Sequence, residues 1–293
     1  LQDELSASPC RLRSSSKLSR RNRALKATPL PPATSRPRWR PVLPSRCRFS
    51  STKAMLSRWT HAPALTSKGA VKTGQLLKAD LHIHSMYSMD CATPLEKIIK
   101  RCLDLEINCI AIADHGTTEG ALKMQEIAPF TVIVAEEILT HHGEIMGMFL
   151  KETVPSGLSV EETITRIRDQ GGLVNIPHPF ETIRGSALNS RVIEEIAGQI
   201  DLMEVFNARS PFAANSEQAM AFANEHGIAR SAGSDAHSVY EIGNAYITMP
   251  EFDDSEGFLK SLAQGEIHGH RSSLVTRLFS GWARLKNQFV KWH

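Results

Sequence analysis

Short apolar segments alternate with amphipathic segments across residues 78–270, and this alternation is the main structural signal in the chain. The apolar segments predict seven β-strands: Ala79–His84, Cys109–Ala113, Thr131–Ala135, Ile145–Leu150, Leu173–Ile176, Leu202–Phe206 and Ala229–Ala232. Strands that alternate with helices predict an α/β fold with a mostly parallel sheet, and about seven strands favour a barrel over a small open sheet. In such a barrel the functional side chains lie at the carboxyl ends of the strands.

Helix-start and helix-stop signals lie between the predicted strands. Thr93–Glu96 and Ser159–Glu162 have the Ser/Thr-x-x-Glu pattern of a capping box, and each precedes an amphipathic segment. The Gly171-Gly172 pair is predicted to end the second of these helices. Two further helices are predicted over Ser190–Ala197 and Ser216–His226.

The composition is that of a globular protein. The 293 residues are 41% hydrophobic and 22% charged, which is sufficient for a buried core. No apolar run approaches the roughly 20 residues that a membrane-spanning helix needs, so an integral membrane protein is excluded. The five cysteines form no CxxC pair, which argues against a disulfide scaffold and favours a reducing compartment.

The net charge of +3 conceals a sharp division of the chain. Residues 1–78 contain 17 Lys or Arg and two acidic residues, a net charge of +15, whereas the remainder carries a net charge of −12. Of the twelve histidines, only His61 lies in the basic part. The sequence therefore joins a basic segment to an acidic, histidine-rich body.

The basic segment, residues 1–76, is predicted to be a disordered extension because it is rich in Arg, Ser and Pro and lacks periodicity. Three interpretations remain open. Its composition fits an organellar presequence, and Arg46–Ser51 resembles a mitochondrial processing site. A second interpretation is a segment absent from the mature protein, because translation from Met55 would omit most of it. A third is a nucleic-acid-binding arm, which the basic charge allows. The protein is expected to be soluble and cytoplasmic, or to lie in the mitochondrial matrix if the presequence is genuine.

The C-terminal segment, residues 271–293, is predicted to form an amphipathic basic helix. Its apolar residues recur at intervals of three and four, as in Leu274, Leu278 and Trp282. Packing against the barrel or a second subunit is favoured over association with a membrane surface.

Ionisable side chains collect where the predicted strands end. The residues concerned are His82, His84, Asp90, Asp114, His115, Glu136, Glu137, His141, His142, Glu144, His178, Asp235 and His237. A spacing of two places His82 and His84 on one face of a strand, and the same holds for Asp235 and His237. Burying this many polar groups without a ligand would cost several kcal/mol each, so the pattern indicates metal binding.

The donor types restrict the metal. Imidazole and carboxylate donors without thiolates suit Mn, Fe or Zn better than a structural cysteine-rich zinc site. Nine candidate ligands exceed the needs of one ion. The sequence therefore predicts two or three divalent metals.

These motifs resemble those of the PHP (polymerase and histidinol phosphatase) domain family. The resemblance rests on His82-x-His84, Asp114-His115, Glu136-Glu137, Pro177-His178-Pro179 and Asp235-x-His237. It covers roughly residues 77–270, including a C-terminal part similar to the PHP-associated region. It implies a distorted (β/α)7 TIM-like barrel that holds up to three metals.

The resemblance also implies a ligand assignment. One metal would take His82, His84, Glu137 and Asp235; a second would share Glu137 and take His178 with the fourth-motif residue; a third would take Asp90, His115 and His237. Family members often have a histidine in the fourth motif, where this chain has Glu144, with His142 two residues earlier. Both remain candidates, and Glu144 is favoured because glutamate can bind a metal.

The implied activity is metal-dependent phosphoesterase chemistry, in which metals generate a hydroxide nucleophile and clamp phosphate oxygens. Arg184 and Arg209 are candidate phosphate ligands. Asp114 and Asn207 are predicted to orient ligand histidines. The acidic body favours a small phosphorylated metabolite or a nucleotide or oligonucleotide end as substrate. The alternative is a non-catalytic metal-binding PHP module with a structural or nucleic-acid-associated role. No stable protein partner is implied, and the oligomeric state is left open.

Overall fold

A computed structural model describes residues 76–272 of the chain. The predicted basic extension and the predicted C-terminal helix lie outside the described residues except at their innermost positions. No helix of the described part is both long and apolar enough to cross a bilayer.

All seven predicted strands are present, and two further strands follow them. The strands are β1 (Leu76–Ile83), β2 (Cys109–His115), β3 (Thr131–Thr140), β4 (Gly143–Met148), β5 (Leu173–Ile176), β6 (Leu202–Asn207), β7 (Ala229–Gly233), β8 (Ala245–Pro250) and β9 (Glu266–Gly269). The helices are α1 (Leu95–Asp104), α2 (Glu119–Ile127), α3 (Val160–Asp169), α4 (Ser190–Glu195), α5 (Ala213–His226) and α6 (Ser255–Leu262). The last two strands were not predicted from an apolar run. In the structure β8 is buried only at alternate positions, and β9 is largely open to solvent.

The strands form one sheet in the order β7-β6-β5-β4-β3-β2-β1-β8-β9. The pairs β1–β2, β2–β3, β5–β6 and β6–β7 are parallel. The pairs β3–β4, β4–β5, β1–β8 and β8–β9 are antiparallel. The seven predicted strands therefore pair mostly in parallel, as expected, except that β4 runs opposite to both of its neighbours. Residues 141–142 are the whole connection between β3 and β4, which is too short for a crossover helix and imposes a hairpin.

The sheet nearly closes into the predicted barrel. Ile83, at the end of β1, forms a parallel bridge with Ala236, just beyond β7. The amide of His84 donates to the carbonyl oxygen of Ala236 at 3.0 Å, and the amide of Ala236 donates to His82 at 3.3 Å. A Cβ at Gly233 would lie only 2.7 Å from the backbone nitrogen of His82, so this close approach requires glycine. The carboxyl ends of β1 and β7 are therefore neighbours.

A shift of register in β1 changes which side chains face the interior. The pairing of β1 with β2 is irregular between Asp80 and Ile83. Leu81 packs in the same core cluster as the interior residues of β2 and β3, whereas Ile83 packs with the covering helices. A bulge of this kind redirects the following side chains. The shift therefore turns His82 and His84 into the barrel.

Two of the three helix-end predictions agree with the structure. The Ser159 hydroxyl caps α3 by accepting a hydrogen bond from the amide of Glu162 at 3.1 Å. Gly171 follows α3 with a φ of +76°, as expected for a glycine stop. The predicted capping box at Thr93 was wrong: α1 begins at Leu95 with Pro94 in the cap position and no side-chain cap.

Candidate metal centre

The nine predicted metal ligands meet at one end of the barrel, at the carboxyl ends of the parallel strands and the amino end of β4. His82 lies within β1, His115 ends β2, Glu137 lies in β3 and Glu144 in β4. The others lie in the loops after β1, β5 and β7: His84, Asp90, His178, Asp235 and His237. All are buried except His115, whose side chain is 16% exposed. The fold thus gathers imidazole and carboxylate groups into one enclosed cluster.

Glu137 lies at the centre of this cluster. Its Oε1 is 3.0 Å from His178 Nε2 and 3.3 Å from His82 Nε2. Its Oε2 is 3.3 Å from both His84 Nε2 and His115 Nδ1. Each oxygen therefore faces two histidines, so this carboxylate could bridge two cations.

Asp235 completes the group around the β1 histidines. Its Oδ1 is 3.4 Å from His84 Nε2 and 3.4 Å from His237 Nδ1. Asp235 and His178 have positive φ angles of 53° and 30°, which are rare for residues with a side chain. Such strain is found where the surrounding structure must hold a side chain in one direction.

Asp90 joins the third group from the loop after β1. Its Oδ2 is 3.1 Å from His237 Nε2 and 3.5 Å from His115 Nε2, and the Ser88 hydroxyl donates to its Oδ1 at 2.8 Å. One donor atom from each of His84, Asp90, His115 and His237 lies within 4.8 Å of the others. The loop after β1 therefore brings Asp90 to the cluster.

The structure separates the two candidates for the fourth-motif ligand. Glu144 is buried, with its oxygens 3.4 Å from His115 Nδ1 and 3.6 Å from His178 Nε2. His142 is exposed in the turn between β3 and β4. Only Glu144 is therefore placed to share a cation with His178.

The donor set fits divalent cations. Glu137 Oε2, Glu144 Oε2 and Asp235 Oδ1 are buried oxygens that accept no hydrogen bond within residues 76–272. Three groups of donor atoms overlap through shared residues: His84 with Asp90, His115 and His237; His82 with His84 and Glu137; and His115 with Glu137 and Glu144. A cation would satisfy these oxygens, so the residues present fit two or three metal ions.

Charge interactions within the cluster are strong. Burial lowers the pKa of His115, but Glu137, Asp90 and Glu144 outweigh it and raise that pKa to about 9. Burial and the neighbouring His237 lower the pKa of His84 to about 3. Burial and the charge of Glu137 raise the pKa of Glu144. The buried carboxylates thus repel one another electrostatically, and a bound cation would reduce that repulsion.

Glu204, in β6, is an orienting residue that the sequence motifs did not reveal. Its Oε1 is 3.0 Å from His82 Nδ1, and its Oε2 accepts the backbone amide of His178 at 2.7 Å. One buried carboxylate therefore positions two ligand histidines from outside the cluster. The available signal was an acidic residue inside the apolar run Leu202–Phe206.

Replacing Glu204 by glutamine is expected to weaken metal binding about 10- to 100-fold, because the charged acceptor for His82 Nδ1 is lost. Titration of chelator-treated protein with Mn²⁺ or Zn²⁺ in a calorimeter measures this affinity. Glu217→Gln, on the exposed face of α5, is the matched control. Equal affinities in both variants would remove Glu204 from the site.

Asp114 and Asn207 hold the site in ways that differ from the predicted contacts with histidines. Asp114 accepts hydrogen bonds from the amide and the hydroxyl of Ser85, each at 2.6 Å, and so fixes the chain just after His84. The Asn207 amide group donates to Glu204 Oε2 at 2.8 Å and to Asp235 Oδ2 at 3.2 Å. Asp114 therefore holds the backbone, and Asn207 the carboxylates, around the cluster.

Arg184 and Arg209 reach the cluster from the Asp235 side. Arg184 Nη2 donates to Asp235 Oδ2 at 2.6 Å, and its Nε is 3.7 Å from Glu181. Arg209 Nε lies 3.6 Å from Glu241, and its Nη1 lies 3.5 Å from the carbonyl oxygen of Asp235. The two guanidinium groups therefore provide positive charge beside the predicted metal ligands.

Comparisons with known proteins agree with this geometry. The model of the PHP domain matches residues 80–129, and the model described as PHP-associated matches residues 214–267. Uncharacterized protein MJ0417 of Methanocaldococcus jannaschii is 36% identical over 180 residues, which are 60% of this chain and 72% of that protein. Uncharacterized protein MJ1587 of the same organism is 39% identical over 145 residues, covering 45% of this chain and 82% of that protein.

A solved structure shares the fold. It is a two-domain protein of Bacteroides vulgatus described as containing a predicted PHP-like metal-dependent phosphoesterase, with a TM-score of 0.55 and 15% identity. The match covers 67% of this chain and 65% of that protein, so the chain spans somewhat less than two thirds of it. Two family models in the expected order, and an archaeal relative matched over most of its length, lead to one conclusion: the chain belongs to the PHP domain family, with a PHP-associated C-terminal region.

Proposed function

We propose that the protein is a metal-dependent phosphoesterase that hydrolyses a phosphate monoester or the phosphate end of a nucleotide or oligonucleotide. The observation that carries the proposal is the buried cluster at the barrel mouth, in which seven carboxylate and imidazole side chains form three overlapping donor groups. His178 and Asp235 lie against these groups, 3.0 Å from Glu137 and 3.4 Å from His84 respectively. A cluster of this size exceeds what packing or a single structural ion requires.

The metals would be held by the residues of the cluster. His82, His84, Glu137 and Asp235 would hold one ion, and Glu137, Glu144 and His178 a second; the third group is Asp90, His115 and His237. Bound divalent ions supply Lewis-acid stabilisation of phosphate oxygens and acidify water.

The remaining residues prepare the site for a phosphate group. Arg184 and Arg209 supply guanidinium donors that match phosphate geometry. Asp235 holds Arg184 through Oδ2 while its Oδ1 faces the histidines, so it connects the phosphate-binding side to the cluster. Glu204 and Asp114 fix the chain segments that carry His82, His178 and His84. These hydrogen bonds would preorganise the site, which lowers the cost of reaching the transition state.

The substrate is proposed to be small. Residues 79–293 carry a net charge of −12, which opposes the binding of a long polynucleotide along the surface. A phosphorylated metabolite or a single nucleotide end requires positive charge only at the mouth, where the two arginines lie.

The full chain purified without chelators is expected to contain at least one equivalent of Mn, Fe or Zn and to hydrolyse some members of a phosphoester panel. The panel comprises phosphomonoesters, nucleotides and 5′-phosphorylated oligonucleotides, assayed with added Mn²⁺. Asp235→Asn is expected to lose both metal and activity, whereas Asp253→Asn, on an exposed loop, retains them.

Two outcomes would contradict the proposal. Less than one equivalent of metal would remove the metal centre. Stoichiometric metal without hydrolysis of any panel member would favour the alternative, a non-catalytic metal-binding PHP module.

A further inference from the structure

Two buried glutamates outside the metal cluster each lie beside one of the two arginines at the barrel mouth. Glu181 Oε2 is 3.7 Å from Arg184 Nε, and Glu241 Oε1 is 3.6 Å from Arg209 Nε. The glutamate side chains are 4% and 0% exposed, whereas the side chains of Arg184 and Arg209 are 22% and 11% exposed. Each arginine therefore has a buried carboxylate on its Nε side and keeps part of its side chain open to solvent.

Glu181 also joins the loop after β5 to the loop after β6. Its Oε2 accepts a hydrogen bond from the Ser210 hydroxyl at 3.2 Å, and Ser210 directly follows Arg209. The amides of Arg209 and Ser210 both donate to Asn207 Oδ1, at 2.8 and 3.2 Å. The glutamate that faces Arg184 therefore also holds the turn that carries Arg209.

Glu241 joins the loop after β6 to the loop after β7 in the same way. Its Oε2 accepts hydrogen bonds from the Ser238 hydroxyl at 2.9 Å and from the His237 amide at 3.2 Å. Its Oε1 accepts no hydrogen bond within residues 76–272, and this is the oxygen that faces Arg209. A buried carboxylate is costly unless it is compensated, so the guanidinium group of Arg209 stabilises Glu241 and is held beside it.

The two arginine–glutamate pairs are connected through Asp235. Arg184 Nη2 donates to Asp235 Oδ2 at 2.6 Å, and Arg209 Nη1 donates to the carbonyl oxygen of Asp235 at 3.5 Å. Each guanidinium group is therefore contacted at Nε by a buried glutamate and at an Nη atom by Asp235. The contacts form a ring that ties together the loops after β5, β6 and β7.

Such a ring has a consequence for anion binding. The N–H donors of a guanidinium group lie in one plane, so two contacts on the same group fix the direction of all of them. Arginine side chains that are already ordered lose less conformational freedom when an anion binds. The buried glutamates therefore favour phosphate binding without touching the phosphate.

We propose that Glu181 and Glu241 are positioning residues that hold Arg184 and Arg209 in a fixed orientation for binding one phosphate group. The inference rests on the proposed phosphoesterase function and deepens it, since it concerns the residues behind the phosphate-binding side of that site. Neither glutamate belongs to the nine predicted metal ligands, so their effect on phosphate affinity can be separated from metal content.

The test measures the Kd of inorganic phosphate by calorimetry, using the Mn²⁺-loaded full chain after removal of unbound Mn²⁺. Glu181→Gln and Glu241→Gln are each expected to raise this Kd about tenfold at unchanged metal content. Glutamine keeps an oxygen that can accept the serine hydroxyl but loses the charge that holds the arginine. Glu162→Gln, which removes the charge from an exposed glutamate–arginine pair on α3, leaves the Kd unchanged.

A double-variant cycle shows whether Glu241 acts through Arg209. Arg209→Ala weakens phosphate binding, and adding Glu241→Gln to it causes no further loss. Arg209→Lys keeps the positive charge but lacks the Nε donor, so it is expected to reproduce the effect of Glu241→Gln. This variant leaves the contacts of Glu241 with Ser238 intact and serves as the second test if Glu241→Gln folds poorly.

The outcomes separate this inference from the proposed function. Unchanged phosphate affinity in both glutamine variants, or additive effects of Glu241→Gln and Arg209→Ala, overturns the positioning role alone. Loss of metal together with phosphate affinity also overturns it, because the glutamates would then support the cluster rather than the arginines. Phosphate binding that depends on both glutamates, without hydrolysis of any phosphoester, contradicts the proposed function alone.

Discussion

Replacing Glu137 by glutamine is expected to remove at least one equivalent of metal and to lower phosphoester hydrolysis about 1,000-fold, or about 4 kcal/mol of transition-state stabilisation. The carboxylate has histidine nitrogens at 3.0–3.3 Å from both oxygens. Glutamine keeps one oxygen and presents an amide group to the other histidines, so it cannot bridge two cations. Metal analysis and initial rates measure the two effects.

Glu136→Gln is the matched control for this experiment. Glu136 is equally buried and adjacent in sequence, but its Oε2 accepts the backbone amide of Val154 at 2.9 Å. Burial raises the pKa of Glu136 to about 8, so a neutral side chain is tolerated there. Equal loss of metal in both variants would show that the effect is a general disturbance of β3 and would contradict the bridging role of Glu137.

Removing the metals with a chelator is expected to lower the melting temperature by about 5–10 °C. Metal at about 100 times its Kd stabilises the folded chain by about 2.7 kcal/mol, and for a domain of this size about 1 kcal/mol corresponds to roughly 2–4 °C. The physical reason is the set of buried carboxylates around Glu137, which repel one another when no cation lies between them. Differential scanning calorimetry of the chelated and reloaded protein measures the shift.

The Asp235→Asn variant provides the internal comparison for this measurement. With one ligand and one negative charge removed, its melting temperature is expected to respond less to the chelator than that of the unmodified chain. Identical melting temperatures of chelated and reloaded unmodified protein would contradict a metal centre in the barrel mouth.

The seven barrel strands were predictable because each is a short apolar run bounded by polar or turn residues. Local pattern also located the α3 cap at Ser159, since a hydroxyl three residues before Glu162 satisfies amides of its own helix. The two strands β8 and β9 escaped prediction, because neither is buried along its whole length. The antiparallel pairing of β3 with β4 was not predicted, because the predicted strands Thr131–Ala135 and Ile145–Leu150 left a longer connection than the two residues 141–142 that the structure has.

The residue types and chain positions of the metal-binding motifs are properties of the sequence, and they sufficed to indicate the family and a multinuclear centre. Their arrangement was decided by tertiary structure. The register shift in β1 turns His82 and His84 inward, and burial distinguishes Glu144 from His142. Glu204 contacts His82 across 122 residues of chain, and Arg184 contacts Asp235 across 51. Local periodicity carries no information about such pairings, because they arise only when the sheet curves and brings the end of β7 beside the end of β1.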